Sequence, residues 1–247
     1  MSKAQPLFNA RVLRNVLRGS ASAAWRVPAG AVAALDHWID QLDRGVLNRL
    51  SESSAEQTFN SEIFGTALGY LQVGQAVEAT MVPKRSSGRD TPDFVLGHFD
   101  LTAGIEEWGA VGEIKNMTDL NQPQMGRPSR ETPVEQGFRY ATKKPGVEWV
   151  LVTNLRELRL YKNGSIGAYH SWALVTLRDR ERLFEFYVLL RPEGLLGRGR
   201  EPMADRVFRE SISAGRDLTE GFYGLYKAVQ QKLIDCLQGQ PASAGMP

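Results

Sequence analysis

Three consecutive segments between residues 107 and 153 constrain the fold of this chain more than any other feature. Residues 107–115 (EWGAVGEIK) have the apolar character of a strand, residues 133–143 have that of a short helix, and residues 147–153 have that of a second strand. A strand, a crossover helix and a strand predict parallel pairing of the two strands and a right-handed connection. The chain is therefore expected to be an α/β protein.

Further segments extend this unit on both sides. Residues 76–82 and 92–99 have strand character, and we expect them to form an antiparallel meander with residues 107–115. Residues 157–164 and 165–177 predict strands after the crossover. The expected fold is a mixed β-sheet flanked by helices on both faces, with additional N- and C-terminal helices.

The sequence predicts a division of the chain into four parts. Residues 1–50 form an N-terminal helical extension and residues 51–177 form the core. Residues 178–237 form a C-terminal helical extension or the start of a spacer, and residues 238–247 form a disordered tail.

Cysteine, histidine and hydropathy exclude several classes of protein. The single cysteine, Cys236, cannot form an intrachain disulfide, and the three histidines (His37, His98 and His170) lack the spacing of zinc ligands. No apolar run has membrane-spanning length, and no secretory signal is evident at the N-terminus. We therefore expect a cytoplasmic protein with no membrane partner.

Charged side chains in two apolar strands point to a metal site. Asp93 follows a proline at the start of one strand, and Glu113 and Lys115 lie in the next strand. Buried charges are costly unless they hold one another or a metal. Glu113 and Lys115 project to the same face because side chains alternate along a strand. Two carboxylates and the backbone carbonyl of Ile114 would make an oxygen site suited to Mg²⁺, with a lysine beside it.

The helix predicted from residue 51 carries one acid on its apolar side. At about 100° per residue, Glu56 falls inside the apolar arc, so it needs a partner. The arc consists of Phe59, Ile63, Phe64, Ala67, Leu68 and Leu71.

These residues resemble the signature of the PD-(D/E)xK nuclease superfamily, which has the restriction-endonuclease-like fold. The matching residues are Pro92-Asp93 and Glu113-Ile114-Lys115, whose acids are 113 − 93 = 20 positions apart. Gln136 and Tyr140 resemble the QxxxY element of restriction-type members. The likeness covers roughly residues 50–177. The sequence from Trp149 to Tyr161 is similar to part of the N-terminal nuclease domain of enzymes that fuse restriction and modification in one chain. Such enzymes have a type IIG or type I-like organisation.

The resemblance implies a metal-dependent endodeoxyribonuclease of restriction–modification type. Asp93, Glu113, Glu56 and the Ile114 carbonyl would hold Mg²⁺, and Mn²⁺ would be able to substitute for it. Lys115 would position the attacking water, and Gln136 and Tyr140 would support the lysine or touch the DNA backbone. Cutting both strands would require dimerisation on DNA. No methyltransferase motif and no GxxxxGK(S/T) loop occurs in the chain, so methyltransferase and target-recognition domains or subunits would be supplied elsewhere.

Arginine accounts for 22 of the 30 basic residues, a bias that suits bidentate contact with phosphate. Two loops carry candidate DNA contacts, although single basic residues of this kind are commonly just solvated charges. The candidates are Lys84, Arg85 and Arg89 before the PD dipeptide, and Arg127 and Arg130 after the lysine strand.

Other interpretations remain open from the sequence. The chain could be a non-catalytic nucleic-acid-binding or assembly module that keeps the nuclease fold, or a nuclease acting on RNA or on nucleic-acid ends. Asp93 could be a turn residue, Glu113 and Lys115 an exposed cross-strand pair, and Glu56 the partner of a local arginine. Gln136 and Tyr140 could form a polar edge of their helix.

Overall fold

The structure is a computed structural model that describes residues 5–19, 25–85, 91–123, 130–197 and 199–238. Arg89, Arg127 and all but the first residue of the predicted disordered tail lie outside these ranges.

Seven strands and seven α-helices are present in the described residues. The strands are β1 (Gln5–Pro6), β2 (Glu78–Pro83), β3 (Phe94–Asp100), β4 (Ile105–Ile114), β5 (Trp149–Thr153), β6 (Glu157–Lys162) and β7 (Ala168–Ala173). The helices are α1 (Ala10–Gly19), α2 (Ala29–Asp43), α3 (Glu52–Phe59), α4 (Pro133–Lys143), α5 (Arg180–Leu190), α6 (Pro192–Leu195) and α7 (Met203–Gln238). Short 3₁₀ turns cover Leu47–Arg49 and Leu174–Arg178.

The strands form one mixed sheet in the order β1-β7-β6-β5-β4-β3-β2. Strands β2, β3 and β4 make the predicted antiparallel meander. Strands β4 and β5 pair in parallel, with Glu113 opposite Val152, and α4 lies between them in the chain. The predictions of a mixed α/β sheet flanked by helices and of a parallel β4–β5 pair are therefore confirmed.

Apolar residues cover both faces of the sheet because strand side chains alternate between them. On one face, Phe138 of α4 packs among Val111, Val150 and Val152. On the other face, helices before and after the central strands bury a larger core that includes Trp38, Phe59, Phe64, Trp172 and Phe186. This larger core also takes in residues from Leu7 to Val207, so segments outside 51–177 share it.

Helix α3 departs from the regular helix that the sequence predicts. Ser51 caps it by accepting a hydrogen bond from the Ser54 N–H, and after Phe59 the chain continues as a π-helix over Asn60–Ala67. Leu71 is 47% exposed, so its predicted place in the apolar arc is wrong. The wider i→i+5 turns change the phase of later residues, and the helix ends before Leu71 is reached.

Helix α4 has the predicted bounds, and local sequence explains why. Thr132 and Glu135 form a capping box, in which each side chain binds the other residue's backbone N–H, and Pro133 occupies the first turn. Gly137 allows close approach to the sheet, because a Cβ there would lie 2.9 Å from Val150. The helix thus holds Gln136 and Tyr140 against the strands.

Of the helices in the described ranges, none combines the length and the apolar character needed to cross a membrane.

Candidate active site

Asp93 lies beside the end of β4. Its N–H donates to the Gly112 carbonyl at 3.0 Å, and its Oδ2 accepts a hydrogen bond of 2.7 Å from the Ile114 N–H. The carboxylate is therefore fixed alongside the Glu113–Ile114 peptide, at the edge where the sequence predicted it.

Glu113 and Lys115 form an ion pair inside the protein. The side chains are 0% and 3% exposed, and the Lys115 ammonium contacts the Glu113 carboxylate directly. This burial excludes the interpretation as an exposed cross-strand pair. Both residues lie on the α4 face of the sheet, since Val111 on the same strand packs into that core. The predicted convergence of Asp93, Glu113 and Lys115 at one sheet edge is thus observed.

The Ile114 peptide is oriented toward Asp93. The Lys115 N–H donates to the Thr153 carbonyl in β5 at 2.8 Å. Because successive N–H groups of a strand point to opposite sides, the Ile114 N–H points toward β3. The N–H and C=O of one strand residue point to the same neighbour. The Ile114 carbonyl consequently points to the side where the Asp93 carboxylate lies.

Helix α3 adds two acids to this cluster. Glu56 is buried, as the helical arc predicted, and its Oε2 lies 3.0 Å from Lys84 Nζ. Glu52, one turn earlier, places Oε1 3.8 Å from Lys115 Nζ. The sequence had left open an arginine as the partner of Glu56, and the partner is Lys84.

Burial makes these carboxylates costly to ionise. Desolvation raises the pKa of Asp93, although the Ile114 hydrogen bond and Lys115 act in the opposite direction. Desolvation also raises the pKa of Glu56, partly offset by Lys84 and reinforced by the nearby Asp93. Burial thus disfavours the charged form of both carboxylates, and a cation bound beside them would act in the opposite direction.

Gln136 and Tyr140 form a pair on α4 that faces the same cluster. The Gln136 Nε2 donates to the Tyr140 hydroxyl at 2.6 Å. Burial and, next, the Glu113 charge raise the pKa of Tyr140. Arg139 stacks over the Tyr140 ring, 4.9 Å from its centroid. The charges of Glu113 and Asp93 both act on the Tyr140 hydroxyl.

The predicted DNA-contacting residues divide into groups. Lys84 belongs to the carboxylate cluster. Arg85 makes two hydrogen bonds to Glu106, the second residue of β4, at the opposite end of that strand from Glu113. Arg130 is exposed, and Arg89 and Arg127 lie outside the described residues.

The Arg85–Glu106 pair gives a pH-dependent prediction. The Arg85 and Trp108 hydrogen bonds lower the pKa of Glu106 from 4.5 to about 2. Because the pKa is depressed in the folded state, the stabilisation is present above pH 4.5 and is lost as the pH falls toward 2. At pH 7, Glu106→Gln should lower the free energy of unfolding by about 0.5–1 kcal/mol, since the pair is partly exposed. Urea unfolding at pH 7 and near pH 2 checks this, and an equal difference at both would contradict it.

The oxygen donors of the cluster fit a hard divalent ion. Asp93, Glu113 and the Ile114 carbonyl supply oxygen only, which suits Mg²⁺ better than zinc. Over the described ranges, no three histidine, cysteine, aspartate or glutamate side chains are close enough to form a metal-binding group. A metal at this position would therefore have at most two carboxylates and a backbone oxygen from the protein, and water would have to complete the coordination.

Sequence reasoning missed one member of the cluster, Glu52, and one contact of another, Lys84. Glu52 lies four residues before Glu56, a spacing that places both on one helix face and could have identified it. Lys84 was predicted as a phosphate contact, and its pairing with Glu56 has no local sequence signal.

Comparison of the chain with protein-family models, with curated proteins and with solved structures finds no match.

Proposed function

We propose that this chain is a Mg²⁺-dependent DNA endonuclease of restriction–modification type with a restriction-endonuclease-like core. The observation that carries the proposal is the convergence of Asp93, Glu113 and Lys115 at the end of β4. Two carboxylates and one ammonium group lie close together at this position, and they are largely buried.

The sheet topology supports the same proposal. The meander β2-β3-β4 places Asp93 beside Glu113, and the crossover through α4 brings Gln136 and Tyr140 to the same edge. The residues named here, on which the resemblance depends, thus lie at one end of a single sheet.

The chemistry follows from the donor set. When bound, Mg²⁺ lowers the pKa of a coordinated water and offsets charge developing on the phosphate. Asp93, Glu113 and the Ile114 carbonyl would hold the ion. The Lys115 ammonium orients the attacking water and stabilises the negative charge that forms on the phosphate oxygens. The Gln136–Tyr140 pair, on the α4 side, orients Lys115 or contacts the DNA backbone.

The proposed partner is DNA, and double-strand cleavage requires two such sites. Dimerisation on DNA would bring a second copy to the other strand. Target recognition and methylation would be supplied by other domains or subunits, and Mn²⁺ would substitute for Mg²⁺ in assays.

Plasmid cleavage tests the proposal. The protein should nick or linearise supercoiled plasmid in Mg²⁺ or Mn²⁺, and EDTA should stop the reaction. Linear DNA and RNA of equal length, run in parallel, separate an endonuclease on DNA from an end-dependent enzyme or a ribonuclease. Retained DNA binding without cleavage of any substrate would reject catalysis and favour a binding or assembly module.

A further inference from the structure

The backbone that carries Lys115 leaves the sheet at this residue. Strand β4 ends at Ile114, whose ladder partner is Thr153, the last residue of β5. The Lys115 N–H still donates to the Thr153 carbonyl at 2.8 Å. The chain then turns, and the backbone of Met117 is left-handed, with φ of 54°. A residue other than glycine rarely adopts this conformation, and it does so where its surroundings hold it.

Asn154, the residue after β5, makes two hydrogen bonds to this turn. Its carbonyl accepts from the Met117 N–H at 3.3 Å, and its Nδ2 donates to the Thr118 carbonyl at 2.9 Å. Together with the bond from Lys115 to Thr153, these contacts hold the backbone of residues 115–118 against the end of β5.

The other end of the Asn154 amide is bonded to the turn between β5 and β6. Its Oδ1 accepts hydrogen bonds from the N–H groups of Arg156 and Glu157, at 3.2 and 2.8 Å. Leu155 is fully buried, and its carbonyl accepts a hydrogen bond of 3.1 Å from the Trp38 indole N–H. The orientation of the Asn154 side chain is therefore fixed, because both ends of its amide are bonded to backbone groups.

We propose that Asn154 is a positioning residue for Lys115, and that it holds the backbone after β4 so that the ammonium stays where the phosphate reacts. This inference rests on the proposed nuclease function and deepens it. The Lys115 side chain is 3% exposed, so the close packing around it leaves little freedom to compensate for a shift of its backbone. A displacement of about 1 Å at a reacting group can cost roughly 100-fold in rate.

Single-turnover plasmid cleavage by two variants tests the inference. Asn154→Asp keeps the oxygen that serves the β5–β6 turn but loses the donor to Thr118, and Asn154→Ala loses both groups without adding a charge. In Mg²⁺, each should lower the maximal cleavage rate by roughly 10- to 100-fold. The protein concentration that gives half of the maximal rate should stay the same, because the change affects the lysine and not DNA binding.

The Lys115→Met background separates positioning from a general structural role. Once Lys115 is replaced, loss of Asn154 has no ammonium to misplace, so Asn154→Ala/Lys115→Met should cleave as slowly as Lys115→Met alone. Independent effects would instead multiply the two losses of rate. All variants are compared at a temperature at which thermal melting shows that they are folded.

Asn163 provides a matched control at the opposite end of the β5–β6 pair. Its Nδ2 donates to the Val147 carbonyl at 2.8 Å, and its N–H donates to the Glu148 carbonyl at 2.9 Å. Asn163→Asp should lower the melting temperature as Asn154→Asp does, but leave the cleavage rate unchanged.

Three results would overturn the inference while the unaltered chain cleaves DNA. They are normal cleavage by the folded Asn154 variants, multiplied losses in Asn154→Ala/Lys115→Met, and an equal loss of rate in Asn163→Asp. If the unaltered chain cleaves no DNA, the proposed function is rejected and this inference with it.

Discussion

Replacing Lys115 by methionine is expected to reduce Mg²⁺-dependent DNA cleavage by roughly 10²- to 10⁴-fold. The Lys115 side chain is 3% exposed and its ammonium contacts Glu113 at the end of β4, where the proposed reaction takes place. Single-turnover cleavage of plasmid at saturating Mg²⁺ measures the loss. Gel-shift assays in Ca²⁺ should show that DNA binding changes little.

The same substitution is expected to destabilise the fold. Removing one partner of a buried ion pair costs about 3–5 kcal/mol, because the remaining charge keeps its desolvation penalty. The Glu113 side chain is 0% exposed, so its carboxylate would stay buried and keep its desolvation penalty after Lys115 is replaced. Urea unfolding in EDTA should therefore show a lower midpoint for Lys115→Met. The double variant Glu113→Gln/Lys115→Met should recover much of the loss because both charges are gone.

Stability and catalysis can be separated by comparing these variants. The double variant should be stable but inactive, which a merely structural ion pair would not predict. Lys162→Met is a matched control, since Lys162 is 17% exposed and pairs with Glu148 and Asp205 away from the carboxylate cluster. It should lose stability and keep its cleavage rate. Cleavage by the double variant at the normal rate would contradict a catalytic role for Lys115.

The central unit of the fold could be predicted because its signals are local. Thr132 and Pro133 mark the start of α4, and the apolar runs of β4 and β5 flank it. Side-chain alternation placed Glu113 and Lys115 on one face. The two-residue strand β1 could not be predicted, because its pairing with β7 joins positions more than 160 residues apart and two residues carry no periodicity.

A bulge in the sheet decides whether the acids meet, and the sequence does not reveal it. The β3–β4 register shifts by one residue between Leu96 and Gly97. Beyond the shift Phe94 is opposite Gly112, which brings Asp93, the residue before Phe94, beside residues 112–114. Without the shift, Glu113 would face the other side of the sheet, because a one-residue slip exchanges the two faces.

Long-range partners also escaped prediction. Lys84 contacts Glu56 from a left-handed backbone position, and Arg85 reaches Glu106, 21 residues later. Ion pairs of this kind depend on how the elements pack, whereas sequence spacing informs only on neighbours along one helix or strand. The sequence therefore predicted the proximity of Asp93, Glu113 and Lys115, but it did not predict the lysine that pairs with Glu56.

Gly112→Ala is expected to damage both the fold and the site. Gly112 lies directly before Glu113, and a Cβ there would fall 1.9 Å from the Phe94 ring, a separation that real atoms do not tolerate. The Phe94 ring is fully buried against Phe64, with ring centroids 4.5 Å apart, so it has little room to move. Overpacking of this kind costs about 1–3 kcal/mol. Since Phe94 follows Asp93, its displacement should also disturb the Asp93–Ile114 hydrogen bond and lower cleavage.

The clash itself, and not the loss of a glycine, should cause this damage. Gly167→Ala is the matched control, because a Cβ there would have no described heavy atom within 4 Å, and it should leave urea unfolding and cleavage nearly unchanged. Shortening the opposing ring in Gly112→Ala/Phe94→Leu should restore part of the stability, since the new methyl group then occupies vacated space. If Gly112→Ala unfolds like the unaltered chain and cleaves at its rate, Phe94 does not hold Asp93 against β4.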